Sequence, residues 1–241
     1  MRRSRSDRHG TGDPGAGGNT TRAGMVEKYM KIEIWSDVVC PWCAIGRSRL
    51  ETALAGLPGA DQVEVVLRSF ELDPTAPVGS SEPMVEVVAG KYGVGHDEAV
   101  AMMARTEDLA AAEGLEMHMD KTLHSNTVDA HRLLHLALES GGPTLQLALN
   151  AALVDAHFRD GEDVGDHGVL RRVAGETGLD EAEVDDVLGG ERYADAVAAD
   201  VLQARAYGAT GVPFFVIDER YGVSGAQPVE VFTQVLETAV S

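Results

Sequence analysis

The sequence predicts an α/β fold in which a strand–helix–strand unit and a closing strand–strand–helix unit are separated by a large helical insertion. Three observations carry this reading. Polar and apolar residues alternate through Lys31-Ile32-Glu33-Ile34-Trp35-Ser36-Asp37, helical periods with few strand signals run from about Glu82 to about Gly190, and strand character returns only near Val212.

The alternating segment reads as a strand and runs into Val38-Val39-Cys40-Pro41-Trp42-Cys43. Ile45, Leu50, Leu54 and Leu57 then keep roughly helical spacing, and Pro58-Gly59 punctuates the end. Val63 to Leu72 forms a second strand, closed by Asp73-Pro74. The helical block is broken at Gly93-Val94-Gly95, Gly141-Gly142-Pro143, Asp160-Gly161 and Gly189-Gly190. Val212 to Asp218 and Tyr221 to Ser224 make a hairpin through Glu219-Arg220, and a last helix spans about Val229 to Ala239. This order, with the Cys pair where the first strand feeds a helix, fits a thioredoxin-like domain interrupted in its middle. The expected division is an N-terminal extension at residues 1–29, a thioredoxin-like domain at 30–75 and 191–241, and a helical subdomain at 76–190.

The chain has 241 residues and a formal net charge of -19. Residues 1–28 hold six Lys/Arg against three Asp/Glu, a charge of +3 that leaves -22 for the remainder. So acidic a surface repels phosphate backbones and anionic lipid, which argues against nucleic-acid or membrane partners. The five arginines of the arm sit among Gly, Ser, Thr, Asp and Pro, the composition of a disordered extension. No apolar core follows Met1-Arg2-Arg3 as an export signal requires, so a cytoplasmic location is expected. A translation start at Met25 or Met30, or an appended leader, would each account for the arm. No apolar run approaches the length of a membrane-crossing helix.

Cys40 and Cys43 are the only cysteines, which excludes a framework of stabilising disulfides. Two cysteines separated by two residues at a helix start can close a small disulfide ring. Pro41 suits the first helical position, where its missing N–H has no intrahelical partner and its φ already matches the helix. The free N–H groups and the dipole favour negative charge on the Cys40 sulfur, with Cys43 one turn in and more buried. Cys40 is therefore expected to be the exposed nucleophile, and Cys43 the thiol that resolves the mixed disulfide. Half of a zinc site is the competing reading, with His131 and His135 at i and i+4 on one helix face. The long sequence gap to the Cys pair argues against it, and no metal ligand is assigned. Those histidines are expected on a partly buried face packed on the thioredoxin core. Met84, Met102, Met103, Met117 and Met119 fit either core filling or a soft groove.

The chain resembles the FrnE-like branch of the DsbA family of thioredoxin-fold oxidoreductases. The likeness rests on Ile34 to Cys43, on Asn126-Thr127-Val128-Asp129-Ala130-His131-Arg132-Leu133, on Gly211-Val212-Pro213-Phe214-Phe215, and on Val223-Ser224-Gly225-Ala226-Gln227-Pro228. The resemblance implies that Pro213 is a cis proline facing the Cys pair and that the Val212 backbone pairs with an extended substrate segment. It implies a thiol–disulfide oxidoreductase, with Cys40 and Cys43 catalytic and Pro41, Trp42, Val212 and Pro213 tuning or docking. No cofactor is expected beyond the redox-active disulfide, with a thiol reductant or oxidant as co-substrate. Expected partners are protein disulfides, dithiols or low-molecular-weight thiols, and the chain is expected as a monomer or weak dimer. Two alternatives stay open: a glutathione-dependent isomerase or kappa-class transferase-like enzyme, disfavoured by the second cysteine, and a redox-sensing chaperone or binding protein.

Overall fold

The computed structural model describes residues 30–79 and 82–241, so the expected disordered extension lies outside the described residues. The chain opens with β1 (Met30–Ser36), α1 (Pro41–Ala55) and β2 (Val63–Ser69). Six helices follow: α2 (Met84–Tyr92), α3 (His96–Ala112), α4 (Val128–Phe158), α5 (His167–Glu176), α6 (Glu181–Gly189) and α7 (Ala194–Ala206). It closes with β3 (Phe214–Ile217), β4 (Tyr221–Ser224) and α8 (Val229–Val240). This is the expected α/β arrangement with a helical insertion. The last sheet segments begin at Phe214 rather than Val212, because Pro213 has no N–H to give to a ladder.

The sheet order is β2-β1-β3-β4, with β1 parallel to β2 and antiparallel to β3. Ile34 stands opposite both Leu67 and Phe215, which places the three in one layer. Ile32, Ile34 and Phe215 meet Leu50 of α1 and Phe232 and Leu236 of α8 in one core. On the other face Trp35, Phe214 and Val216 pack against Ala204 of α7. Since β1 is covered on both faces, even its polar Glu33 is buried, held by Arg68 across the ladder at 2.5 Å. The alternation that reveals β1 therefore marks two cores rather than a wet and a dry side.

α4 is bent where the sequence breaks: Gly142 takes φ 69°, a conformation suited to glycine, and Pro143 follows it. Both its halves, through Leu133 and Leu136 before the bend and Leu149 and Leu153 after it, share a core with α5 and α6 that reaches Val38, two residues before Cys40. Its end, with Met103 of α3 and Val85 of α2, packs on Ala44 and Ile45 of α1. α1 is thus clamped between the sheet core and the insertion, which explains its lack of a single apolar stripe.

Candidate active site

Beyond β1, Asp37 to Val39 turn the chain, and Cys40 donates its backbone N–H to the Asp37 carbonyl at 3.1 Å. Cys40 is the N-cap of α1, with extended backbone at φ -98° and ψ 110°, and Pro41 begins the helix. No side chain caps this end: Pro41 has no N–H, the Cys43 and Ala44 N–H groups donate to the Cys40 carbonyl at 3.0 and 3.4 Å, and the Trp42 N–H is left as the unspent donor of the first turn among the described residues. The Cys40 thiol lies 3.9 Å from the Val212 carbonyl oxygen. Both cysteines are free, and the Cys43 thiol hydrogen-bonds to Cys40.

The expectation that Cys40 is exposed is corrected: it is 3% exposed, scarcely more than one residue in the core. Sequence reasoning placed it at a helix tip, but the insertion folds over that tip. Val39, Cys40 and Val212 share a cavity with His157 and Phe158 from the end of α4. Trp42 is the exposed member of the motif, at 42%. Burial comes first among the influences that hold the Cys43 thiol well above its ordinary range, followed by its hydrogen bond to Cys40 and the charges of Cys40 and Asp37. A backbone hydrogen bond at Asp37 acts the other way.

The Val212–Pro213 peptide bond is cis. Pro213 is brought against α1 by a glycine: a Cβ on Gly46 would stand 3.0 Å from the Pro213 ring, 3.2 Å from Phe215 and 3.3 Å from the Ala226 backbone. Two segments named for the family likeness, Gly211–Phe215 and Val223–Pro228, therefore meet around one residue that the sequence reading passed over.

Beneath the Cys pair lies a buried polar group that the sequence reading also missed. Asp37 and His131 are each 1% exposed, with Asp37 Oδ1 3.3 Å from His131 Nε2. The other Asp37 oxygen accepts the Leu72 N–H at 2.8 Å. His157, the penultimate residue of α4, is 1% exposed, and burial pushes its imidazole down to about 4 against the pull of Asp37. Glu71 is pushed up by burial, which outweighs the pull of His131, and Asp37 adds to the rise. The only advance signal was the bare presence of Asp37 and His131 in two family motifs. His135 goes elsewhere, with Nε2 at 3.1 Å from both Ser69 Oγ and Asp200 Oδ2. The i, i+4 histidines thus serve two different carboxylates, and among the described residues no cluster of three metal-ligating side chains forms.

The methionines divide. Met117 is core, Met103 and Met119 are core residues that also floor the cavity, and Met84 and Met102 line it. Among the described residues no helix is long and apolar enough to cross a membrane.

Residues 31–237 match the family model of the DSBA-like thioredoxin domain. A crystal structure from Streptomyces coelicolor, named as a probable DsbA oxidoreductase, is 47% identical, with a TM-score of 0.83 over 88% of this chain and 90% of that one. Protein YwbO of Bacillus subtilis is 28% identical over 209 residues, covering 85% of this chain and 94% of that protein. The cytosolic disulfide reductase DsbM of Pseudomonas aeruginosa, solved with GSH, shares the fold at 23% identity and a TM-score of 0.60, over 87% of this chain and 98% of that one.

Proposed function

The chain belongs to the DSBA-like thioredoxin family, and from that premise we propose that it is a thiol–disulfide oxidoreductase whose redox pair is Cys40 and Cys43. The observation that carries the reading is the unequal setting of two adjacent thiols. Cys40 stands at the positive end of α1 beside the Trp42 N–H, the one unspent donor of the first turn among the described residues, whereas Cys43 is buried and held in its thiol form.

In the reducing direction, the Cys40 thiolate attacks a substrate disulfide, forms a Cys40–substrate disulfide and releases the first substrate sulfur as thiolate. Cys43 then gives up its proton, attacks the Cys40 sulfur and releases the second. The pair ends as a disulfide, and the substrate has gained both electrons. Asp37, buried beside His131 and near enough for its charge to act on Cys43, is assigned as the acceptor of the Cys43 proton. Pro41 starts the helix and Trp42 offers an exposed ring beside the sulfur. The Val212 carbonyl, beside Cys40, and Pro213 form the opposite wall, where an extended substrate would pair with the Val212 backbone. A thiol reductant or oxidant recycles the pair, no further cofactor is required, and the setting is cytoplasmic, as the name of the DsbM relative states for that protein.

The test is Cys43→Ala. With the nucleophile kept and the resolving thiol removed, mixed disulfides should accumulate on Cys40 and be released by dithiothreitol, and Cys40→Ala should trap none. Asp37→Asn in the same assay should capture substrate yet slow its release about a hundredfold. If Cys43→Ala traps no more than the double cysteine variant, the redox assignment fails. The glutathione-dependent isomerase reading would then replace it.

A further inference from the structure

The cavity at the Cys pair has a volume of about 560 Å³, within the size range of sites that enclose small molecules. Its walls come from α2 and α3 on one side and the Cys40 turn on the other. α3 presents Met102, Arg105, Thr106 and Leu109, positions that fall on one helical face. α2 presents Met84, Val88, Lys91 and Tyr92 in the same way. Of the eight large apolar side chains exposed among the described residues, four line this one cavity: Trp42, Leu72, Tyr92 and Leu109.

Charge is the second observation. The chain carries 39 acidic against 20 basic residues, yet no Asp or Glu lines the cavity. Its two charged side chains are both cations, Lys91 and Arg105. Most cations elsewhere are in ion pairs, but neither of these has a carboxylate partner among the described residues, and Lys91 lies only over the Tyr92 ring at 6.0 Å. A solvent-exposed cation without a carboxylate partner among the described residues, one on α2 and one on α3 at the rim of an apolar pocket of an acidic protein, is complementary to an anion with an apolar body.

We propose that the substrate held here is a low-molecular-weight thiol, met as its disulfide, that combines an apolar or aromatic body with carboxylate groups, and that Lys91 and Arg105 bind those carboxylates while the sulfur faces Cys40. This rests on the redox assignment of Cys40 and Cys43 and names the substrate class of that site. The exchange balances without a further reactant. The Cys40 thiolate and Cys43 thiol together consume one R–S–S–R, become a protein disulfide, and yield two R–S⁻ and one proton. Nothing in the long-range field favours such a ligand, because the net charge of -19 repels anions. Any preference for them must be local.

The experiment is a single-turnover reaction of the reduced full chain with four disulfides. They are 5,5′-dithiobis(2-nitrobenzoate), aromatic and anionic; 4,4′-dithiodipyridine, aromatic and neutral; 3,3′-dithiodipropionate, aliphatic and anionic; and cystamine, aliphatic and cationic. The quantity read is the ratio of second-order rate constants for the aromatic anion and the aromatic neutral probe, compared between wild type and the Lys91→Gln, Arg105→Gln double variant. Intrinsic probe reactivity cancels in that comparison. The ratio should fall by about tenfold in the double variant, with a smaller fall in each single variant. Cystamine should react least with wild type. A ratio unchanged within about twofold, or a preference for cystamine, overturns the proposal. If wild type reacts with none of the four faster than a free thiol, the redox assignment itself fails. Exchange without charge discrimination overturns only the substrate class.

Discussion

His157 shows how a single buried group ties the site to stability. It is 1% exposed, stands edge-on to Phe158 at a ring separation of 4.7 Å, and lines the cavity that holds Cys40. Its folded pKa is about 4, below the ordinary 6.5, chiefly because burial disfavours the charged ring. The unfolded chain therefore binds a proton that the folded chain refuses, and stability falls as pH drops below about 6.5, levelling off near 4. The loss from this group should reach about 2 kcal/mol at pH 5 and about 3 kcal/mol at pH 4. Urea unfolding of His157→Gln at pH 7 and pH 5 should show a slope flatter by that amount, and an unchanged slope would refute it.

At the scale of elements, α1 carries the reactive turn at one end and a close packing contact in its middle. Gly46 costs helix propensity, roughly 1 kcal/mol relative to alanine. The cost is offset because Pro213, Phe215 and Ala226 stand 3.0 to 3.3 Å from where a Cβ would sit, so that a side chain there would force them to shift by a few tenths of an ångström. Gly46→Ala should lower stability by about 1 to 2 kcal/mol, since overpacking outweighs the propensity gain. It should also slow disulfide exchange if the added methyl pushes Pro213, which follows the Val212 carbonyl beside Cys40, out of place. A variant more stable than wild type would show that the contact relaxes freely. Arg132 is a second device at this scale: its guanidinium donates to the carbonyls of Val187, Gly190 and Arg192 and pairs with Asp129. The end of α6 is thereby satisfied by α4, which gives the arginine of the Asn126–Leu133 motif a structural role.

For the molecule as a whole, the seam between sheet and insertion is made of hydrogen bonds as well as apolar contacts. β2 is an edge strand, and an unpaired edge is a liability. Gln146 of α4 covers it by accepting the Leu67 N–H at 2.9 Å and donating to the Leu67 carbonyl at 3.0 Å, as a neighbouring strand would. Asp200 of α7 accepts the Ser69 N–H at 2.9 Å, and its own carbonyl takes the Trp35 indole N–H at 2.8 Å. Gln146→Leu keeps the volume but strands two buried backbone groups, and should cost about 2 to 4 kcal/mol. Hydrogen exchange should show the Leu67 amide losing protection together with α4; loss confined to β2 would mean that sheet and insertion unfold separately. Much of this architecture is legible in the chain, because helical period, strand alternation and glycine–proline breaks are local properties of sequence. The same holds for the Cys40-Pro41-Trp42-Cys43 turn, whose spacing and proline already imply a helix start. The burial of Cys40, the Asp37–His131 pair, the role of Gly46 and the Lys91–Arg105 cavity were not legible. Each depends on how the insertion docks against α1 and β2, which joins residues far apart in sequence through packing that no local pattern encodes.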